Sequence, residues 1–313
     1  MKKFICKITS LSVAFVLFNV IVLFAVPKDE NAYLCEYNKK IELLETTKQP
    51  RMIFIGGSNL AFSIDSKAIS DSLRYNVVNF GLHAGMGIRY PLEDCLQYIR
   101  KGDIAVLQFE YANFYSGGNG EMETFTSLMM STNWRNADKL NAKQLINVIT
   151  GIPFFACGNI KRLIKYPIVG SFDTPSVSPK NKYVYNLKGF NEYGDEVGHF
   201  GYKNKKYNQN KKETRGINKD FIYWLKEIIM QYEQAGAHVV ILPLVCIKSH
   251  FHNVYSDDIA NTLKGIGSPY IVNPSSMVLS DSCMFDTGSH MNRAGCDQNT
   301  QNIIKNLDYL SNL

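Results

Sequence analysis

Several signatures are missing from this 313-residue chain, and each absence narrows what it can be. There is no CxxC pair and no Cys/His cluster at zinc spacing, so a zinc module is not expected. Seven cysteines (Cys6, Cys35, Cys95, Cys157, Cys246, Cys283 and Cys296) are an odd number spread along the chain, unlike a disulfide framework. One bridge involving Cys283 or Cys296 stays compatible with an extracellular domain. The net charge is only +6 and no nucleic-acid motif accompanies it, so nucleic acid is not expected as a partner. "GLHAGMG", residues 81–87, follows a strand pattern, but its glycines are not in G-x-G-x-x-G order and no phosphate-loop lysine is present. No internal repeat exists, and only one apolar run is long enough to span a bilayer.

That run is Ile8 to Val26, nineteen residues without a charge. As a helix it covers roughly 28 Å, close to the hydrocarbon thickness. Lys2, Lys3 and Lys7 precede it, and Asp29 and Glu30 follow. The positive-inside rule then places the N-terminus in the cytoplasm and the remainder outside. A cleaved signal peptide is the competing reading, but Phe24-Ala25-Val26-Pro27 is a poor cleavage site. Residues 1–28 therefore read as a membrane anchor, 29–50 as a helical stalk and 51–313 as one domain. The stretch 201–216, "GYKNKKYNQNKKETRG", is basic. It reads as a solvated loop or as a patch facing an anionic polymer or headgroup.

From residue 51 strands and helices alternate. "RMIFIGG", "YNVVNFG", "DIAVLQFEY", "AHVVILPLV" and the short "PYIVNPS" read as strands. "DSKAISDSL", "RYPLEDCLQYIRKG", "NKDFIYWLKEIIMQYEQAG", "SDDIANTLKGIG" and the C-terminal segment read as helices. The middle, about 114–215, reads as an irregular insertion. Continuous apolar strands in such an order predict an α/β fold with a mostly parallel sheet covered on both faces. Ligands then bind outside the carboxyl ends of the strands. This directs attention to Ser58, to 81–87, to Glu110–Asn113 and to the loop after Pro243.

Ser58 follows "IFIGG" directly. It fits a turn or helix cap, and it equally fits a nucleophile exposed at the sheet edge. A serine hydroxyl is a weak nucleophile, so the second reading needs a base. His290 in "MFDTGSHMNRAG" is a candidate, with Asp286 four residues earlier to hold its tautomer.

A strand-end serine early in the chain and an Asp/His pair in the last loop resemble the SGNH/GDSL hydrolase superfamily, over most of 51–120 and 217–305. "IFIGGSNLAF" looks like the block holding the nucleophile, "VVNFGLHAGMG" like the block supplying an oxyanion-hole N–H, and "FDTGSHMNRAG" like the Asp/His block. Three departures stand out. Gly57 replaces the usual Asp before the nucleophile, the D-x-x-H spacing is one residue longer, and "EYANFY" with Asn113 replaces Gly-x-Asn-Asp. The resemblance implies a three-layer α/β/α sandwich in which Ser58, His290 and Asp286 are catalytic. Ser58, Gly85 and Asn113 would be oxyanion donors, with Ala84 and Gly81 as alternatives to Gly85. It implies no metal and no organic cofactor. With the anchor, the chain looks like the D-alanyl transfer protein of teichoic acid synthesis and like the SGNH partners of membrane-bound polysaccharide O-acyltransferases. The implied activity is esterase or O-acyltransferase chemistry on an envelope glycan or acylated substrate, alongside such a membrane partner. The alternative is a catalytically degenerate envelope scaffold or polymer-binding protein.

Overall fold

A computed structural model describes residues 1–132, 134, 137–170, 172, 183–207 and 211–312. Parts of the middle region and of the basic run lie outside these residues. The elements are α1 (Lys2–Ala25), α2 (Glu36–Thr46), β1 (Arg51–Gly56), α3 (Ser58–Ser63), α4 (Ser66–Leu73), β2 (Asn76–Asn79), α5 (Arg89–Leu96), β3 (Ile104–Gln108), α6 (Ala112–Ser116), α7 (Met122–Thr132) and α8 (Ala142–Val169). They continue as α9 (Lys219–Gln234), β4 (His238–Ile241), β5 (Cys246–Ile247), α10 (Lys248–Val254), α11 (Asp257–Gly265), β6 (Val278–Leu279) and α12 (Arg293–Leu307).

The central sheet is parallel, in the order β2-β1-β3-β4, and β5 and β6 form a separate parallel pair. Alternation along the strands divides the core. Ile53, Ile55, Ala105 and Leu107 face a cluster that includes Tyr37, Ile41 and Leu44 of α2, Tyr90 of α5 and Phe221 and Leu225 of α9. Met52, Phe54, Ile104 and Val106 face the opposite cluster with Ile69 of α4 and Ile303 of α12. Both strand faces are therefore buried, which is why β1 reads as an unbroken apolar run. Each fully buried aliphatic or aromatic side chain contributes roughly 1.5–3 kcal/mol. Where β1 enters the interior, Arg51 meets Asp103 in a two-point ion pair, at 2.5 and 3.0 Å, with both side chains fully buried.

Sequence expectation and structure agree on an α/β class with a mostly parallel central sheet and on most elements, and four stretches differ. Residues 29–50, expected as a helical stalk, hold α2, whose Tyr37, Ile41 and Leu44 pack into the larger core. The region 114–215 is not irregular throughout, since it holds α7 and the 28-residue α8. "AHVVILPLV" breaks after Ile241 ahead of Pro243, and "PYIVNPS" supplies a single bridge, Tyr270 to Ile241. All seven cysteines are free. Helix α1 is long and apolar enough to cross a membrane, a property that a signal sequence shares.

Candidate active site

In the order β2-β1-β3-β4 the chain steps from β1 to one side for β2 and to the other for β3, so the direction of winding reverses between β1 and β3. A crevice opens at the carboxyl ends of such neighbours. A cavity of about 520 Å³ lies there, lined by Ser58 after β1, His83 and Ala84 after β2, and Glu110 after β3. Asp286 and His290 close it from the loop before α12, and Tyr185, Lys205 and His250 are among the other residues of its wall.

Ser58 is the first residue of α3 and is buried. The two glycines before it do different work. A Cβ on Gly56 would lie 2.1 Å from the Gln108 carbonyl oxygen, so β1 and β3 approach too closely there for any side chain. Gly57 has an ordinary extended backbone at φ −92°. A Cβ there would point at Ala84 and at Glu110 Cγ, each 3.5 Å away. The turn is tied down by Asn59, whose Oδ1 accepts from Gly57 N–H at 3.1 Å and whose Nδ2 donates to the Gln108 carbonyl at 3.1 Å.

Asp286 and His290 sit on a tight turn, with Phe285 N–H donating to the His290 carbonyl at 2.8 Å. His290 Nδ1 lies 2.8 Å from Asp286 Oδ1. A carboxylate accepting from Nδ1–H leaves Nε2 unprotonated and able to take a proton. The imidazole stacks flat on Phe62, centroids 4.2 Å apart at 7°. Burial is the main influence on His290 and holds its pKa below the ordinary imidazole value, while Asp286 pulls the other way and His199 and Lys205 add to the lowering. Burial raises the Asp286 pKa, but contacts with His290, the Tyr185 hydroxyl and Lys205 outweigh it and leave the carboxyl below its ordinary value.

Ser58 and His290 thus share one cavity, but no hydrogen bond joins them among the described residues. Catalytic hydrogen bonds often tighten only when substrate binds. The other named residues are placed differently. Gly85 N–H is taken by His83 Nδ1 at 2.9 Å, and Gly85 is absent from the cavity wall, whereas Ala84 is on it. Asn113 donates to the Glu110 carbonyl at 3.1 Å and lines an adjoining cavity of about 360 Å³. That second cavity shares Ala84 and Glu110 with the first.

Four further groups face the cavity without a role assigned to them from the sequence. Tyr185 donates to Asp286 Oδ2 at 2.8 Å and lies 3.2 Å from His290 Nδ1. Its backbone is left-handed, φ 55°, a conformation that costs a non-glycine residue about 1–2 kcal/mol. No periodicity surrounds it, so nothing in the sequence marked it. Glu110 lies in a strand-end segment that the topology rule did mark, and burial pushes its carboxyl up to about 7, against a hydrogen bond from Ser289. Lys205 comes from the basic run and reaches Asp286 Oδ2 at 3.4 Å. His250 also faces the cavity; burial, then repulsion from His290, bring its pKa down to about 4.

Comparison with protein-family models, with curated proteins and with solved structures gives no match.

Proposed function

We propose that this protein is a serine-dependent acyl-transfer enzyme with the three-layer α/β/α architecture of the SGNH hydrolases. The observation that carries the reading is the convergence of a strand-end serine with a buried, carboxylate-paired histidine on one cavity at the sheet's switch point. Ser58 Oγ attacks an ester carbonyl, and His290 Nε2 takes its proton. Asp286 holds the Nδ1–H tautomer and stabilises the imidazolium. The tetrahedral oxyanion is met by the Ser58 N–H and by an N–H of the 83–85 loop. Ala84 replaces Gly85 as the donor of choice, because Gly85 N–H is already engaged. His290 then returns its proton to the leaving oxygen, giving an acyl-Ser58 that an acceptor hydroxyl resolves.

The adjoining cavity offers a place for that acceptor. Its walls carry Asn113, Ser116, Asn119 and Glu121, side chains suited to a polyhydroxylated ligand. Glu110 stands between the two cavities, in the space that Gly57 leaves open. We read the substrate side as an envelope glycan and an acyl donor, with α1 retained as an anchor and the domain outside the cytoplasm. A membrane-bound O-acyltransferase is the corresponding partner. A second reading, a degenerate scaffold, is favoured by the absent Ser58–His290 hydrogen bond.

Hydrolysis of short-chain p-nitrophenyl esters decides between them. Ser58→Ala and His290→Ala should each lower turnover on the order of 10⁴-fold if the scale of serine proteases applies. A folded wild-type protein without turnover, or Ser58→Ala with full turnover, supports the scaffold.

A further inference from the structure

Helix α8 carries a face that the α/β domain does not use. Its buried residues Gln144, Val148, Gly151, Ala156 and Asn159 lie on one side. Gly151 allows close packing on α7, since a Cβ there would collide with Thr126. On the other side Ile146, Ile149, Phe154, Ile164 and Ile168 are exposed, Ile168 at 88% and Ile164 at 69%. Exposed Cys157 lies on the same side. These positions recur at helical spacing and form one apolar stripe, larger than scattered surface hydrophobics would give.

The opposite, buried side of α8 shows which element the helix adjoins. Asn159 Nδ2 donates to the Val22 carbonyl of α1 at 3.3 Å, and Arg162 Nη2 donates to the Pro27 carbonyl at 3.2 Å. Helix α8 therefore crosses α1 at the end from which the α/β domain emerges. There α1, otherwise exposed and apolar along its length, has its buried residues Asn19 and Val22. Lys161, Arg162 and Lys165 follow directly after the crossing. Long cationic side chains beside an apolar stripe suit the boundary between acyl chains and headgroups.

We propose that α8 is an interfacial helix whose Ile146–Ile168 stripe is seated in the surface of the bilayer that α1 crosses. This rests on α1 being retained as a span, not on the catalytic reading. The arrangement fixes the α/β domain against the membrane at two elements, so the cavity is held at a set height above the lipid rather than on a loose tether.

The full chain, with Cys6→Ser and Cys35→Ser, is reconstituted in phosphatidylcholine/phosphatidylglycerol vesicles, and an NBD fluorophore is attached to Cys157. A reference protein carries the fluorophore on Tyr223→Cys of α9, a position 71% exposed, with Cys6, Cys35 and Cys157 replaced by serine. Quenching by doxyl-labelled lipid should be several-fold stronger at 157 than at 223, with blue-shifted emission at 157 alone. Ile164→Glu with Ile168→Glu should bring the 157 signal toward the reference. Equal quenching at the two positions overturns the proposal. So does a blue shift at 157 without lipid quenching, which would mean that a second copy of the chain covers the stripe. Failure of the chain to float with the vesicles overturns both the span and the interfacial helix, while ester turnover is read separately on the same preparation.

Discussion

Asp286 Oδ1 and His290 Nδ1 meet at 2.8 Å although they stand four residues apart, because the turn between them folds back under the Phe285–His290 backbone hydrogen bond. The pairing makes a pH prediction. Asp286 raises the His290 pKa against the stronger lowering by burial. The acid limb of kcat/KM should therefore fall below the ordinary imidazole range. Asp286→Asn should move that limb to still lower pH, while plateau turnover falls 10- to 10³-fold, an order-of-magnitude range scaled down from the serine-protease precedent. A limb that moves upward would contradict the coupling.

Glu110 makes a prediction about stability. An unfolded glutamate titrates near ~4.3, whereas the folded carboxyl is pushed up to about 7 by burial. Between those values the folded protein holds a proton that the unfolded chain has lost. Glu110's contribution to stability should then fall as pH rises through this window, with its loss complete above about 7, while His250, lowered to about 4 by burial, contributes the opposite slope. Glu110→Gln should flatten the profile in denaturant midpoints measured across the window. Glu36, also raised to about 7 chiefly by burial, keeps part of the slope in that variant.

The paired glycines separate by cost. Gly56→Ala places a Cβ 2.1 Å from the backbone oxygen of Gln108, where only strand movement gives relief. It should lower stability by about 3–5 kcal/mol or prevent folding, the range of severe backbone and overpacking defects. Gly57→Ala meets nothing closer than Asn59 Oδ1 at 3.3 Å and should keep the fold, with a loss of about 1 kcal/mol or less. Thermal unfolding of both variants checks the order.

Much of the fold was legible because the physics is local. A parallel strand buried on both faces must be apolar throughout, so β1 and β3 stood out. The start of "DSKAISDSL" offers Asp65 or Ser66 as a cap, and it is the Asp65 side chain that accepts from Ala68 N–H at 3.0 Å. Helix α8 was not legible, since Gly151, Pro153, Gly158 and Pro167 all argue against a helix. Tertiary packing on α7 and the capping box of Asn141 and Gln144 outweigh them. At the site, Ser58, Asp286 and His290 were marked by position at strand ends and by spacing. Tyr185 was not, because its role arises from a contact over 105 residues of chain that no local pattern encodes. The engagement of Gly85 by His83 was equally hidden, since it depends on the orientation of one ring.

The central claim is that Ser58 is an activated nucleophile, and covalent labelling tests it most directly. The folded full chain is treated with a fluorophosphonate, then measured by intact mass and peptide mapping. The account predicts one phosphonyl adduct, located on Ser58, abolished in Ser58→Ala and slowed by orders of magnitude in His290→Ala. A folded protein that takes up no adduct, or takes it up at another residue while Ser58 stays unmodified, would contradict it.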